Sequence, residues 1–203
     1  MAVIDHILLD LIGAIREALE GALLEQLAVE ERFQIDVFLG DVSFETSYSL
    51  PGEQSPPRVR ADLSLEWPTW SQSAYRSWSI GESPAERPEV VVEVALRLQR
   101  LAAQPDSEVV LGALGDGVPE IGGERLERTG PTIEQVHRES GPPACAIEIA
   151  YQGAYRLEEA VLEDPEKLDE QVGALARWIA SGLVRLADLD LAFLPADEDE
   201  GEE

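Results

Sequence analysis

Val59-Arg60-Ala61-Asp62-Leu63-Ser64-Leu65-Glu66-Trp67 alternates without a break: Val59, Ala61, Leu63, Leu65 and Trp67 are apolar, and the residues between them are polar. Successive side chains of a strand point to opposite faces, so this period of two describes a strand with one dry face and one wet face. Three further stretches carry the same pattern. Between Val42 and Leu50, the set Ser43, Glu45, Ser47 and Ser49 is polar and the intervening positions are largely apolar, until Pro51-Gly52 ends the run. Val90, Val92, Val94, Leu96 and Leu98 stand opposite Glu93, Arg97 and Gln99, and Cys145, Ile147, Ile149 and Tyr151 alternate with Ala146, Glu148 and Ala150. Half-wet strands of this kind belong to an antiparallel sheet.

The dry face needs a cover. From residue 3 to residue 29, apolar residues recur at Ile4, Ile7 or Leu8, Leu11, Ile15, Leu19, Leu23 and Leu27, the three-and-four spacing of an amphipathic helix. Late in the chain, Asp164-Pro165 has the form of a helix start, an acid at the cap followed by proline at the first helical position. Leu168, Val172, Leu175, Ile179, Leu183 and Leu186 then form a stripe, with Trp178 beside it as a further core residue. The expected fold class is α+β: a mostly antiparallel sheet of four to six strands with two amphipathic helices packed on one face. Residues 1–195 are expected to form a single domain, with a candidate sub-boundary near 103–108, and residues 196–203 a disordered acidic tail.

Two connections are long. Residues 68–88 hold Pro68, Trp70, Tyr75, Trp78, Gly81, Pro84 and Pro88, which reads as an ordered loop packed on the sheet edge or as a binding surface. The Gly- and Pro-rich stretch from Gln104 to Pro143 reads as turns around short strands such as Val109 to Leu114, with Thr132 to His137 as a helical turn. Its glycines do not lie between a strand and a helix and no lysine accompanies them, so they make no phosphate-binding loop.

Composition narrows the function. The 203 residues include 41 acidic and 15 basic ones, a formal net charge of -26. Such a chain is repelled by phosphate backbones and anionic lipid surfaces, which argues against nucleic acid or membrane as partner. The first apolar stretch carries Asp5, Asp10, Arg16 and Glu17, unlike a cleavable leader, and no run approaches the ~18 apolar residues of a membrane span, so a cytoplasmic protein is expected. Cys145, the single cysteine, reads as a small buried thiol. His6 and His137 have no second His or Cys at ligand spacing, whereas zinc takes three or four ligands. No Gly-x-Ser-x-Gly elbow occurs, and carboxylate pairs such as Asp36 with Asp41 arise by chance among so many acids. The expectation is a protein that is not an enzyme and uses neither metal nor cofactor.

The first helix with Leu11, Ile15 and Leu19, then Phe33 to Leu39, Gly40-Asp41-Val42-Ser43-Phe44-Glu45 and the Val92 to Leu98 strand resemble the small trypsin-co-occurring domains of bacterial conflict systems. The resemblance covers about residues 5–100, with the Trp-rich segment inserted and a second hundred residues added. It implies a helix-plus-sheet module serving as a non-catalytic accessory or recognition part, and carries over no functional residue. An acidic α+β subunit with exposed sheet edges also suits a phage-tail or contractile-injection assembly protein, whose edges pair with neighbouring copies. A small-molecule carrier would use the sheet face under the helices. The leading expectation is a non-enzymatic protein-binding accessory or assembly subunit of a multi-component bacterial system, its partner another protein or copies of itself. Its contact residues are expected to be Trp67, Trp70, Tyr75 and Trp78, because aromatic anchors dominate interface energetics. The acidic tail reads as a solubilising, solvated run.

Overall fold

The computed structural model describes residues 29–38, 40–137, 141–158 and 164–196, together with Gly13, Glu17 and Gly21, which are helical. The expected first helix otherwise lies outside the described residues, as do residues 197–203 of the acidic tail. The main strands are β1 (Val29–Phe38), β2 (Asp41–Ser49), β3 (Val59–Trp67), β4 (Glu89–Leu101) and β9 (Ala144–Arg156). Shorter ones are β5 (Glu120–Ile121), β6 (Glu124–Arg125), β7 (Glu127–Arg128) and β8 (Thr132–Val136). The helices are α1 (Thr69–Ser79), α2 (Ser107–Leu114) and α3 (Pro165–Ala187). No helix among the described residues is long and apolar enough to cross a membrane.

The fold is α+β, and every strand pair is antiparallel. The large sheet runs β1-β2-β3-β4-β9, and β7 and β8 share the outer edge of β9, so the sheet is six positions wide; β5 and β6 form a separate hairpin. Its register turns the alternation seen in each strand into rows that cross it. Phe44, Leu65 and Val92 make one row, Thr46, Leu63, Val94 and Tyr151 the next, and Tyr48, Ala61, Leu96 and Ile149 a third. All are buried. Rows of the opposite parity are polar: Ser47 donates to Asp62 at 2.5 Å, and Arg97 reaches Glu148 at 3.2 Å and Glu134 at 2.6 Å. One face therefore builds the core while the other carries the charged and polar side chains.

Helix α3 lies on the apolar rows, with Leu168, Val172, Leu175, Ile179, Leu183 and Leu186 all buried. Polar tips at its edge fix its position. The Tyr155 hydroxyl donates to Gln171 at 2.6 Å, and burial pushes that hydroxyl's pKa up to about 12. Trp178 donates from Nε1 to the Gly117 carbonyl at 2.9 Å and meets the Tyr151 ring edge-on at 4.8 Å. Helix and sheet pack tightly at Gly182, where a Cβ would stand 2.9 Å from Leu96 Cδ1. The sheet face beneath α3 is lined by buried apolar side chains. Cys145 is half-buried against the same core.

Four local expectations are corrected. Residue 29, placed at the end of the first helix, opens β1, which pairs with β2 from Val29↔Ser49 to Phe38↔Asp41. Residues 69–79 are helical rather than loop, because Pro68 stands at the cap position and Ser71, Tyr75 and Trp78 recur at helical spacing toward the sheet. Val109 to Leu114 belongs to a helix, not a strand: Asp106 caps it by accepting from the Glu108 amide at 2.9 Å, and Val110 and Leu114, four apart, are its buried pair. Thr132 to Val136 is a strand rather than a helical turn, held by the β9 ladder and by the Glu134–Arg97 ion pair.

The contact at Gly182 yields a paired prediction. Gly182→Val drives a three-carbon isopropyl group into Leu96 and is expected to lower unfolding stability by about 1–3 kcal/mol. Gly173→Ala, whose Cβ would meet only the exposed Arg177 side chain at 3.2 Å, is expected to raise it by about 0.5–1 kcal/mol through helix propensity. Urea denaturation of both variants checks the signs.

Candidate protein-contact site

The aromatic segment is organised by α1, an eleven-residue helix fastened at three points. Pro68, at its cap, offers no side-chain acceptor, so the free amides of the first turn need one from elsewhere. Asp41, at the start of β2, supplies it: its carboxylate accepts from the Thr69 amide at 2.5 Å and the Thr69 hydroxyl at 2.7 Å. These two bonds, the hydroxyl first, hold the Asp41 pKa below the ordinary aspartate range. A carboxylate in this place also faces the positive end of the helix dipole. One turn on, the Gln72 side-chain amide donates from Nε2 to the carbonyls of Gly40 and Trp67, at 2.8 Å each. Gly40 itself has φ +95, a conformation side chains rarely adopt, and a Cβ there would stand 3.0 Å from Thr69 Oγ1. The β1–β2 turn and the start of α1 are one joint.

The deepest fastening is Ser71, which is 0 % exposed. Its hydroxyl accepts from Trp67 Nε1 at 3.1 Å and from the Glu89 amide at 2.7 Å, and donates to the Glu89 carbonyl at 2.6 Å. A hydroxyl has one donor and two acceptor positions, and all three are used. One small side chain thereby ties α1 to the end of β3 and the beginning of β4.

The four expected contact residues occupy different depths. Trp67 is 0 % exposed and belongs to the core. Tyr75 meets Trp67 edge-on at 5.8 Å and Trp78 edge-on at 5.9 Å, so three of the four form one aromatic chain leading outward from the core. Its outer end, Trp78, lines a cleft of about 420 Å³ with Pro84, Arg87, Pro88 and Leu157. Trp70 stands apart on the outward side of α1, 43 % exposed, and Ile80, just past the helix, is 70 % exposed. Sequence reasoning passed over Asp41, Ser71, Gln72 and Ile80. Pro68 was the one available signal: a helix opening behind a proline cap must borrow its acceptor.

Among the described residues, no three His, Cys, Asp or Glu side chains gather as a metal site would require. No family model, curated protein or solved structure matches the chain.

Ser71→Ala removes one donor and two acceptor positions from a buried site. It is expected to cost about 2–4 kcal/mol of unfolding stability, since each buried polar group left unsatisfied costs roughly 1–3 kcal/mol. Ser73→Ala, on the exposed side of the same helix, is expected to stay within about 0.5 kcal/mol of the parent. Equal, small effects in urea denaturation would show that the Ser71 junction holds nothing together.

Proposed function

We propose that the chain is a non-enzymatic accessory or assembly subunit whose activity is contact with another protein, made by the outward side of α1 and the residues that follow it. The carrying observation is the exposed Trp70 on an anchored helix that has no acid. The whole chain holds 41 acidic residues, yet none falls between Trp67 and Gly81, and Arg76 lies in the last turn of α1. Interface centres are depleted in charge and enriched in aromatic residues and arginine, which is the composition of this surface. Anchoring adds to the case, because a side chain already held in place loses little freedom on binding.

The cleft beside Trp78 extends the surface, with Pro84, Pro88 and Leu157 as apolar walls and Arg87 set among the acids Glu82 and Glu158. A partner segment with an apolar side chain would suit it. The resemblance of residues 5–100 to trypsin-co-occurring domains supports an accessory module of a multi-component bacterial system, and α1 belongs to the Trp-rich segment inserted into that span. The acidic remainder of the surface, repelling phosphate and anionic lipid, supports a protein as the partner.

A photo-crosslinking residue in place of Trp70, in the organism's own cells, is expected to give a discrete adduct that the same residue in place of exposed Arg177 does not. Trp70→Ala is expected to leave unfolding stability within about 1 kcal/mol and to weaken capture of the adduct's partner by about 2 kcal/mol or more, roughly thirtyfold. Identical labelling from positions 70 and 177 would remove the basis of the proposal.

A further inference from the structure

We infer that the cleft beside Trp78 takes a long basic side chain of the partner, arginine or lysine, with its stem on the apolar walls and its charged head at Glu82 and Glu158. The inference rests on the proposed contact surface and deepens it by naming the chemistry of the segment received there. The cleft, about 420 Å³ in volume, is built from two parts of the chain. Leu157, just past β9, donates its amide to the Pro88 carbonyl at 2.9 Å, and both residues are buried. With Pro84 they line the apolar part, and Trp78 adds an indole from the last turn of α1.

The way α1 ends places a charge at the rim. The Gly81 amide donates to the Trp78 carbonyl at 3.0 Å, and the Glu82 amide to the Ser77 carbonyl at 2.9 Å. Gly81 has φ +81, the left-handed conformation that this paired closure of a helix requires. Glu82 is thereby fixed directly beyond the helix. A helix C-terminus carries partial negative charge, so an acid there adds to a field that favours a cation.

Glu158, next to Leu157, brings a second carboxylate to the same cleft. Arg87 also lines it, and Arg76 lies in the last turn of α1. Among the described residues, neither Glu82 nor Glu158 forms an ion pair with Arg87 or with any other cation. Two carboxylates stand against one guanidinium in the lining, and a net charge of -26 stands behind them. Charge complementarity therefore selects a cation. A purely apolar side chain would fill the walls and leave both carboxylates unused. Lysine and arginine use both parts of the cleft, because their stems lie along apolar surface while the charged head stays at the rim. An indole ring attracts such a head when it is placed over the ring face.

The test uses the full chain in about 0.1 M salt, where charges beyond roughly 10 Å are screened. The probes are two capped peptides of one frame, acetyl-Ala-Arg-Ala-amide and acetyl-Ala-Leu-Ala-amide. The indole N–H signal of Trp78 in the heteronuclear NMR spectrum, assigned by its loss in Trp78→Phe, is followed as each peptide is added. The arginine peptide is expected to shift it saturably with a dissociation constant of about 1–10 mM, and the leucine peptide to bind at least about fivefold more weakly. Glu82→Gln and Glu158→Gln are each expected to weaken the arginine peptide by about threefold, and Arg87→Gln to tighten it by about the same factor. Glu127→Gln, which removes the same charge from β7, is expected to leave it within about 1.5-fold of the parent. The same spectra report that each variant is folded. No saturable shift at Trp78, equal binding of the two peptides, or a loss in Glu127→Gln as large as that in Glu82→Gln would each overturn the inference. Because the peptides probe the cleft and the crosslink reports from position 70, failure here leaves the Trp70 result to stand or fall by itself.

Discussion

The ladder between β4 and β9 is the constraint on which the rest of the molecule depends. Each strand has thirteen residues, and they are paired from Glu89↔Arg156 to Leu98↔Ile147, joining segments about fifty residues apart. Strands β3, β2 and β1 extend the sheet from one side of this pair, and β7 and β8 from the other. Its dry side, Val92, Val94, Leu96, Ile147 and Ile149, is where α3 finds its buried surface. Closing so long a loop costs entropy that only a long run of buried pairs returns, which accounts for the length of both strands.

Helix α1 is tied to the same pair. Strand β4 begins at Glu89, and both main-chain groups of that residue are bonded to the Ser71 hydroxyl. Helix α1 is therefore fastened directly to the centre of the sheet at one point and to the β1–β2 turn, through Asp41 and Gln72, at two others. Trp67 and Tyr75 fill the space under it. What remains on its outer side is Trp70, half-exposed and placed by the packing beneath the helix. Structure is spent on holding this short helix still, and a solvent-exposed tryptophan on a fixed support has the physical character of a binding anchor.

The sequence was most legible where an element buries a broad apolar face. Strands β2, β3, β4 and β9 declared themselves by alternation, and α3 by its leucine and isoleucine stripe behind Asp164-Pro165. Legibility failed where a distant partner decides the local structure. The inward positions of α1 include Ser71, a polar residue that breaks the expected apolar stripe and makes sense only beside Glu89, eighteen residues on. Helix α2 is eight residues long with Gly112 inside it, too short and too weak a former to show a period. Strand β8 relies on β9 and on Arg97, thirty-seven residues before Glu134. Within the candidate site, the juxtaposition of Tyr75 and Trp78 followed from helical spacing once the helix was known, but nothing local marked Asp41, among 41 acids, as the cap of a helix 28 residues away.

The central claim is that α1 is a fixed platform and not a pliant loop. Hydrogen–deuterium exchange of the full chain, followed by mass spectrometry on peptides spanning 69–79 and 89–101, measures this directly. Helix amides that open only with the sheet exchange at its rate, while a loosely attached segment opens alone and exchanges far sooner. The structure predicts that Ser71 to Ser79 are protected to within about tenfold of the β4 amides. Protection of α1 a thousandfold weaker than that of β4 would contradict it.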